Sequence, residues 1–372
     1  MKIGILTYQY AMNYGALLQA FALKQYLQSQ GHEVIIINYD SSYLYANNRT
    51  IKEKAVSAVW NGVKYIIAGN DKKIKFDEFR KRKLCLNETL IKTKKEILDY
   101  IDTEKFDVLI VGSDQVWNPE INGDDDVYYL NFKSNAKKIS YAASFGVSEI
   151  QEKYEAELKE FLMDFVSVSV REKTGEEILC KLGLNSTVVL DPVFLPERAV
   201  WERLAGEKKL INKNYILCYV MPGDVQTEKK IEHMAKYIKK ITNKSVIFLG
   251  RKEYKKYLID GKDIISASPE EFVNLFKYAD FIITNSFHGT AFSVIFNKNF
   301  YTVVNSNVTG KRQLSSRLTD LLNDIDLNDR IIDVDEDLNG ISDIDYSAVK
   351  MKLDKLKNIS ENYLTTSINE EK

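Results

Sequence analysis

The chain has 372 residues, 45% hydrophobic and 28% charged, with a formal net charge of −1. That length carries enough apolar material for two cores, and the balanced charge excludes a dedicated nucleic-acid binder, which would show a basic excess. Cys85, Cys180 and Cys218 stand far apart without metal-ligand spacing, so reduced thiols in a cytoplasmic protein are expected, and no stretch approaches the ~20 apolar residues of a membrane span.

In chain order, residues 2–7 read as a strand and 15–30 as a helix with Leu17, Ala20, Phe21, Leu23 and Leu27 on one stripe. Gly31 suits a left-handed stop, and residues 33–38 are the next strand. This βαβ unit predicts parallel pairing. Its loop lacks the GxGxxG pattern, which removes the case for a dinucleotide site. Asn13, Tyr14 and Gly15 instead offer a capping amide and a backbone able to approach a ligand. Residues 51–83 read as helical and basic, with Val56, Val59, Trp60, Val63 and Ile67 along one face. A helix covering the core is the first reading and docking on an anionic membrane the second. Residues 49–95 hold 14 Lys/Arg against 5 Asp/Glu, and residues 320–345 hold 10 acidic residues against Arg330 alone.

A buried strand over 107–111 ends in Gly112-Ser113-Asp114, and a carboxylate directly after a parallel strand lies at the edge of the ligand crevice. Residues 138–145 and 165–170 are strands, 149–164 and 174–182 helices. Arg171 follows a strand; there it pairs with Glu172 or grips a phosphate or carboxylate as a fork. The Lys-rich residues 197–214 read as a linker. Beyond it, strands are expected at 215–220, 245–249, 281–283, 300–304 and 331–332, with helices at 226–241, 269–278, 291–297, 311–322 and 346–363. The fold class is therefore α/β: two doubly wound, Rossmann-like domains over 1–200 and 214–340, facing a cleft, and a terminal helix over 345–364. Residues 280–296, DFIITNSFHGTAFSVIF, form a strand, a turn holding His288 and a helix start, a place where free amides favour an anion.

Six segments taken together, NYGALLQAFAL, DVLIVGSDQVWNP, ISYAASFG, VSVREKTGEEIL, VVLDPVFL and FIITNSFHGTAFSVIF, resemble the polysaccharide pyruvyl transferase family from the first strand to about Leu322. The resemblance implies a GT-B-like fold, no metal cofactor, and transfer of the enolpyruvyl unit of phosphoenolpyruvate to two hydroxyls of one sugar, leaving a pyruvate ketal and phosphate. It matches Arg171 to the strand-end arginine that holds phosphoenolpyruvate and His288 to the motif histidine. Ser286 stands where many members carry arginine, so Lys311, Arg312 and Arg317 are candidates for the missing charge, beside Phe287 and Gly289 of the donor turn. Asp114 is the candidate base for a hydroxyl; Asn13, Tyr14, Gly15 and Trp117 are candidates for the acceptor side. The acceptor expected is a sugar of an exopolysaccharide or capsule precursor, including one linked to undecaprenyl diphosphate, met at the inner membrane face through the basic residues 49–95. A GT-B nucleotide-sugar glycosyltransferase and a non-catalytic carbohydrate-binding relative stay open as alternatives.

Overall fold

The computed structural model describes residues 1–40, 63–86, 89–123, 125–221, 224–250, 262–264, 266–307, 316–338 and 340–370. The chain divides into two compact units, Met1–Pro196 with Leu356–Lys372, and Glu197–Lys355.

The first unit contains β1 (Lys2–Leu6), α1 (Tyr14–Ser29), β2 (Glu33–Ile36), α2 (Val63–Phe79) with a π-helical turn Arg80–Leu84, α3 (Lys94–Glu104), β3 (Val108–Val111), β4 (Lys137–Ser140), α4 (Glu152–Leu162), β5 (Ser169–Val170), α5 (Lys173–Lys181) and β6 (Thr187–Val188). Its sheet runs β2-β1-β3-β4, with every pair parallel. The parallel pair β5-β6 continues it through bridges Ile139–Ser167 and Ala143–Val170. All four residues of β3 are buried, as expected of a parallel strand covered on both faces. The order reverses between β1 and β3, and ligands of open α/β sheets bind outside the carboxyl ends at such a switch point.

Asn13 caps α1 by accepting from the Gly15 amide at 2.8 Å, and Gly31, with φ of +85°, ends it as anticipated. The single buried stripe expected for α1 is too narrow, because 13 of its 16 residues are buried. Its outer side is covered by the basic segment: Phe76 lies 5.1 Å from Tyr14 and Phe79 5.9 Å from Phe21, ring centre to ring centre. The described part of that segment is thus a core cover. The Val56, Val59 and Trp60 part of the pattern lies outside the described residues.

The second unit contains α6 (Arg198–Ala205), β7 (Tyr215–Tyr219), α7 (Val225–Thr242), β8 (Ser245–Leu249), β9 (Lys262–Ile264), α8 (Pro269–Tyr278), β10 (Phe281–Thr284), α9 (Phe287–Ile295), β11 (Asn299–Val304), α10 (Ser316–Asp324) and β12 (Ile331–Asp333). Its strands run β12-β11-β10-β7-β8-β9, all parallel, with the switch point between β7 and β10. Ser268 and Glu271 form a capping box at the start of α8, with Pro269 in the first turn. Helix α6 corrects the linker reading of 197–214. Trp201 is fully buried and meets Phe292 edge-on at 4.9 Å, and the lysines of the stretch, Lys208, Lys209 and Lys213, all follow the helix.

The last helix, α11 (Tyr346–Asn369), runs six residues beyond the expected end, and its part from Leu356 on belongs to the first unit. Tyr363 donates to the Ser140 carbonyl at 2.9 Å, the Leu190 amide donates to Ser360 Oγ at 2.9 Å, and Lys137 Nζ donates to the Ile368 carbonyl at 2.5 Å. Among the described residues no helix is long and apolar enough to cross a membrane.

Candidate active site

In the first unit the strand ends carry a buried polar cluster centred on Arg171, whose side chain is only 1% exposed. Its Nη1 donates to Asp191 Oδ2 at 2.7 Å, Nη2 lies 3.8 Å from Asp114 Oδ1, and Nε lies 3.9 Å from Glu172 Oε2. Asp191 also accepts from Ser113 Oγ at 3.1 Å and from the Val193 amide at 3.1 Å. Glu172 accepts from Ser144 Oγ at 2.7 Å and the Phe145 amide at 3.2 Å. Burial lowers the pKa of Arg171, and the carboxylates of Asp191, Asp114 and Glu172 more than offset this, leaving it above the ordinary guanidinium value. Of the two readings of Arg171, pairing with a carboxylate is the one the side chain shows: it faces Asp191, Asp114 and Glu172.

Asp114 is the more accessible member of the cluster, its side chain 16% exposed. It has φ of +81°, a region non-glycine residues seldom occupy and one that clusters at functional sites. It sits at the carboxyl end of β3, beside the β1/β3 switch point, as the sequence placed it.

The loop from β1 to α1 borders the same switch point and is held by Arg80, a residue that sequence reasoning counted only as part of a basic run. Arg80 Nε donates to the Gln9 carbonyl at 2.7 Å, and Nη2 donates to the carbonyls of Tyr10 at 2.8 Å and Ala11 at 3.1 Å. Its Nη1 pairs with Asp77 at 2.6 Å. The two aromatics assigned to the acceptor side are both buried. Trp117 is fully buried, donates Nε1 to the Tyr128 carbonyl at 3.1 Å and packs against Phe145. Tyr14 is 3% exposed, with Lys72 Nζ 4.7 Å above its ring. Both are core residues, because each ring is enclosed by the cover or by the β3–β4 connection. Asn13 and Gly15 remain at the start of α1, with Asn13 half-buried as its cap.

In the second unit β10 delivers Thr284, Asn285, Ser286, Phe287, His288 and Gly289 to the β7/β10 switch point. The Asn285 side chain brackets Met221, accepting from its amide at 2.7 Å and donating to its carbonyl at 2.9 Å, which ties the ends of β7 and β10 together. Ser286 caps α9 through the Gly289 amide at 3.4 Å. His288 lies in the first turn, 8% exposed, with the Phe287 ring edge-on at 5.3 Å. Gly289 has a packing reason: a Cβ there would meet Thr284 Oγ1 at 2.3 Å, so only glycine lets α9 lie this close to β10. Lys311 and Arg312 lie outside the described residues.

His288 thus belongs to one unit and Asp114 with Arg171 to the other. Sequence reasoning missed Asp191, Ser113, Arg80 and Asn285. Asp191 was open to the same strand-end argument as Asp114, since it follows Val188–Leu190 directly; Arg80 and Asn285 act through backbone carbonyls and amides that no motif reveals. Among the described residues no group of three or more His, Cys, Asp or Glu is placed to hold a metal ion.

The model of the polysaccharide pyruvyl transferase family matches residues 13–307. The chain belongs to the polysaccharide pyruvyl transferase family. No curated protein matches it. Among solved structures, UDP-GlcNAc 2-epimerase from Neisseria meningitidis, bound to UDP-GlcNAc, aligns with a TM-score of 0.50 at 10% identity over 98% of this chain and 99% of that one. UDP-GlcNAc 2-epimerase from Methanocaldococcus jannaschii aligns with a TM-score of 0.49 at 14% identity, covering 96% and 93%. The Streptomyces sp. SF2575 glycosyltransferase SsfS6 gives 0.40 at 13% identity, covering 97% and 96%. At such identities the first of these bears on fold alone, and that fold is the α/β, GT-B type read from the family's sequence.

Proposed function

We propose that this transferase moves the pyruvyl group of phosphoenolpyruvate onto two hydroxyls of one sugar in a polysaccharide or lipid-linked precursor. Family membership supports the reaction class. The observation that carries the reading is His288 in the first turn of α9, at the β7/β10 switch point, where helix amides favour an anion. In the reaction the first sugar hydroxyl adds to C2 of the donor while C3 takes a proton. Phosphate then leaves with the C2–O bond, and the second hydroxyl closes the ketal. Of the two hydroxyl protons, one is balanced by the new methyl group and the other leaves with phosphate. His288 is the acid toward C3 or the phosphate oxygen, and Asp114 is the base for a hydroxyl, held in place by Arg171. The reaction so written uses no metal or organic cofactor. The setting is the cytoplasmic face of the membrane, where the basic segment, with Lys81 exposed, meets a lipid diphosphate or anionic headgroups.

One observation favours a second reading. Ser286 caps a helix where a donor-binding arginine is common in the family, which suits a nucleotide-sugar donor held by other groups. Thermal shift separates the two, because a ligand that binds only the folded protein raises its melting temperature. The first reading expects stabilisation by phosphoenolpyruvate and none by UDP- or dTDP-sugars; the reverse pattern overturns it.

A further inference from the structure

A second pocket, of about 300 Å³, lies in the first unit away from the Arg171 cluster, between the segment 119–129 and helix α4. Its apolar wall is aromatic: Tyr129, Phe161 and Tyr154 line it, and the Tyr129 and Phe161 rings lie 5.6 Å apart. Its polar wall is acidic, from Asp125, Asp126 and Glu157. Asp125 is 7% exposed and accepts from the Val127 amide at 3.0 Å and from Tyr39 at 2.8 Å. Asp126 accepts from Lys94 and Asn131, both at 2.6 Å and both on Oδ2.

We infer that this pocket is a saccharide subsite that takes one neutral or amino-bearing sugar ring of the acceptor chain, a position distinct from the sugar that receives the pyruvyl group. This rests on the proposed polysaccharide substrate. Three features select a sugar. Aromatic faces pack against the C–H face of a pyranose while leaving its edges polar. Carboxylates accept hydroxyl hydrogen bonds and add strength through their charge. Asp125, Asp126 and Glu157, set against Lys94 on Asp126 and Lys153 over the Tyr154 ring at 4.5 Å, leave the wall net acidic, which disfavours phosphate and carboxylate ligands. The volume lies at the small end of ligand pockets, the size of a single ring rather than a nucleotide.

The pocket is also joined to the β1/β3 switch point. Its wall continues through Asn122, which bonds the Tyr8 hydroxyl of the β1 loop and the Val116 carbonyl. The Tyr8 ring meets Tyr128 at 4.9 Å, and Tyr39, just past β2, bonds Asp125. A chain anchored here is therefore registered against the loop that follows β1 and, through the short segment 114–119, against Asp114.

The test titrates the full-length protein with the methyl glycosides of glucose, galactose, mannose, N-acetylglucosamine and glucosamine, read by saturation-transfer NMR, with inorganic phosphate as the anionic control. Wild type is expected to bind at least one glycoside, and Tyr154→Ala or Phe161→Ala to weaken it about tenfold. Glu157→Gln should lower affinity for the amino sugar more than for its neutral counterparts. Binding of none of the five, affinity unchanged in both aromatic variants, or phosphate competing for the pocket overturns the subsite. The melting temperature with phosphoenolpyruvate, measured on the same variants, keeps the two ideas apart. If Tyr154-dependent glycoside binding persists without any donor effect, the transferase reading fails and the subsite stands. If the donor binds and glycoside affinity ignores the variants, the subsite fails alone.

Discussion

The two strand-end sites are built in opposite ways. At the first sheet, a buried arginine is enclosed by Asp191, Asp114 and Glu172, so its charge is met by the protein's own carboxylates. At the second, Thr284, Asn285, Ser286 and the first turn of α9 present amides, hydroxyls and a histidine. A preorganised carboxylate suits a neutral hydroxyl that must lose a proton, and a helix start suits an incoming anion. The contrast extends to one cation of each unit. The carboxylates hold the pKa of Arg171 above its ordinary value, whereas burial, aided by Arg198, pushes that of Lys298 down to about 8.

The largest expected effect breaks the arginine-centred side. Arg171→Ala leaves Asp191, Glu172 and Asp114 facing one another, and removing one partner of a buried ion pair costs about 3–5 kcal/mol. Urea unfolding should show this loss; a change under about 1 kcal/mol, the scale of an exposed pair, would mean the cluster is not buried as described. On the second side, Gly289→Ala drives a methyl into Thr284 and should cost about 1–3 kcal/mol. In a Thr284→Ala background the same substitution should cost much less, since the obstructing hydroxyl is gone; equal costs in both backgrounds would place the strain elsewhere. The smallest effect is a pH slope. Because Lys298 is depressed to about 8 from 10.5, the unfolded chain binds the extra proton between those values. Stability should therefore rise with pH across that window, and Lys298→Met should flatten the rise. A slope that persists in the variant assigns it to another group.

Most of the architecture was legible because strand and helix periods are local. Residues 245–249 and 269–278 matched their elements in full, and the same local reading placed Asp114 just after β3 and His288 just after β10. What escaped depends on distant partners. The pairing of Arg171 with Asp191 was hidden because that carboxylate lies 20 residues on. Trp117 looked like a loop aromatic because its enclosing rings and the Tyr128 carbonyl come from later segments. The terminal helix looked like an appendage because Ser140 and Leu190, which it bonds, are 223 and 170 residues away. Lys-rich composition likewise hid Trp201 inside what read as a linker.

The most direct test incubates the protein with phosphoenolpyruvate and a panel of lipid-linked and free saccharides, following phosphate release and the proton NMR singlet of a ketal methyl group, for wild type and for His288→Ala. The account predicts acceptor-dependent phosphate release with matching ketal in the wild type, and neither in a His288→Ala variant that retains its circular dichroism and melting temperature. Turnover at the wild-type rate in His288→Ala, or phosphate release that yields no ketal, would contradict it.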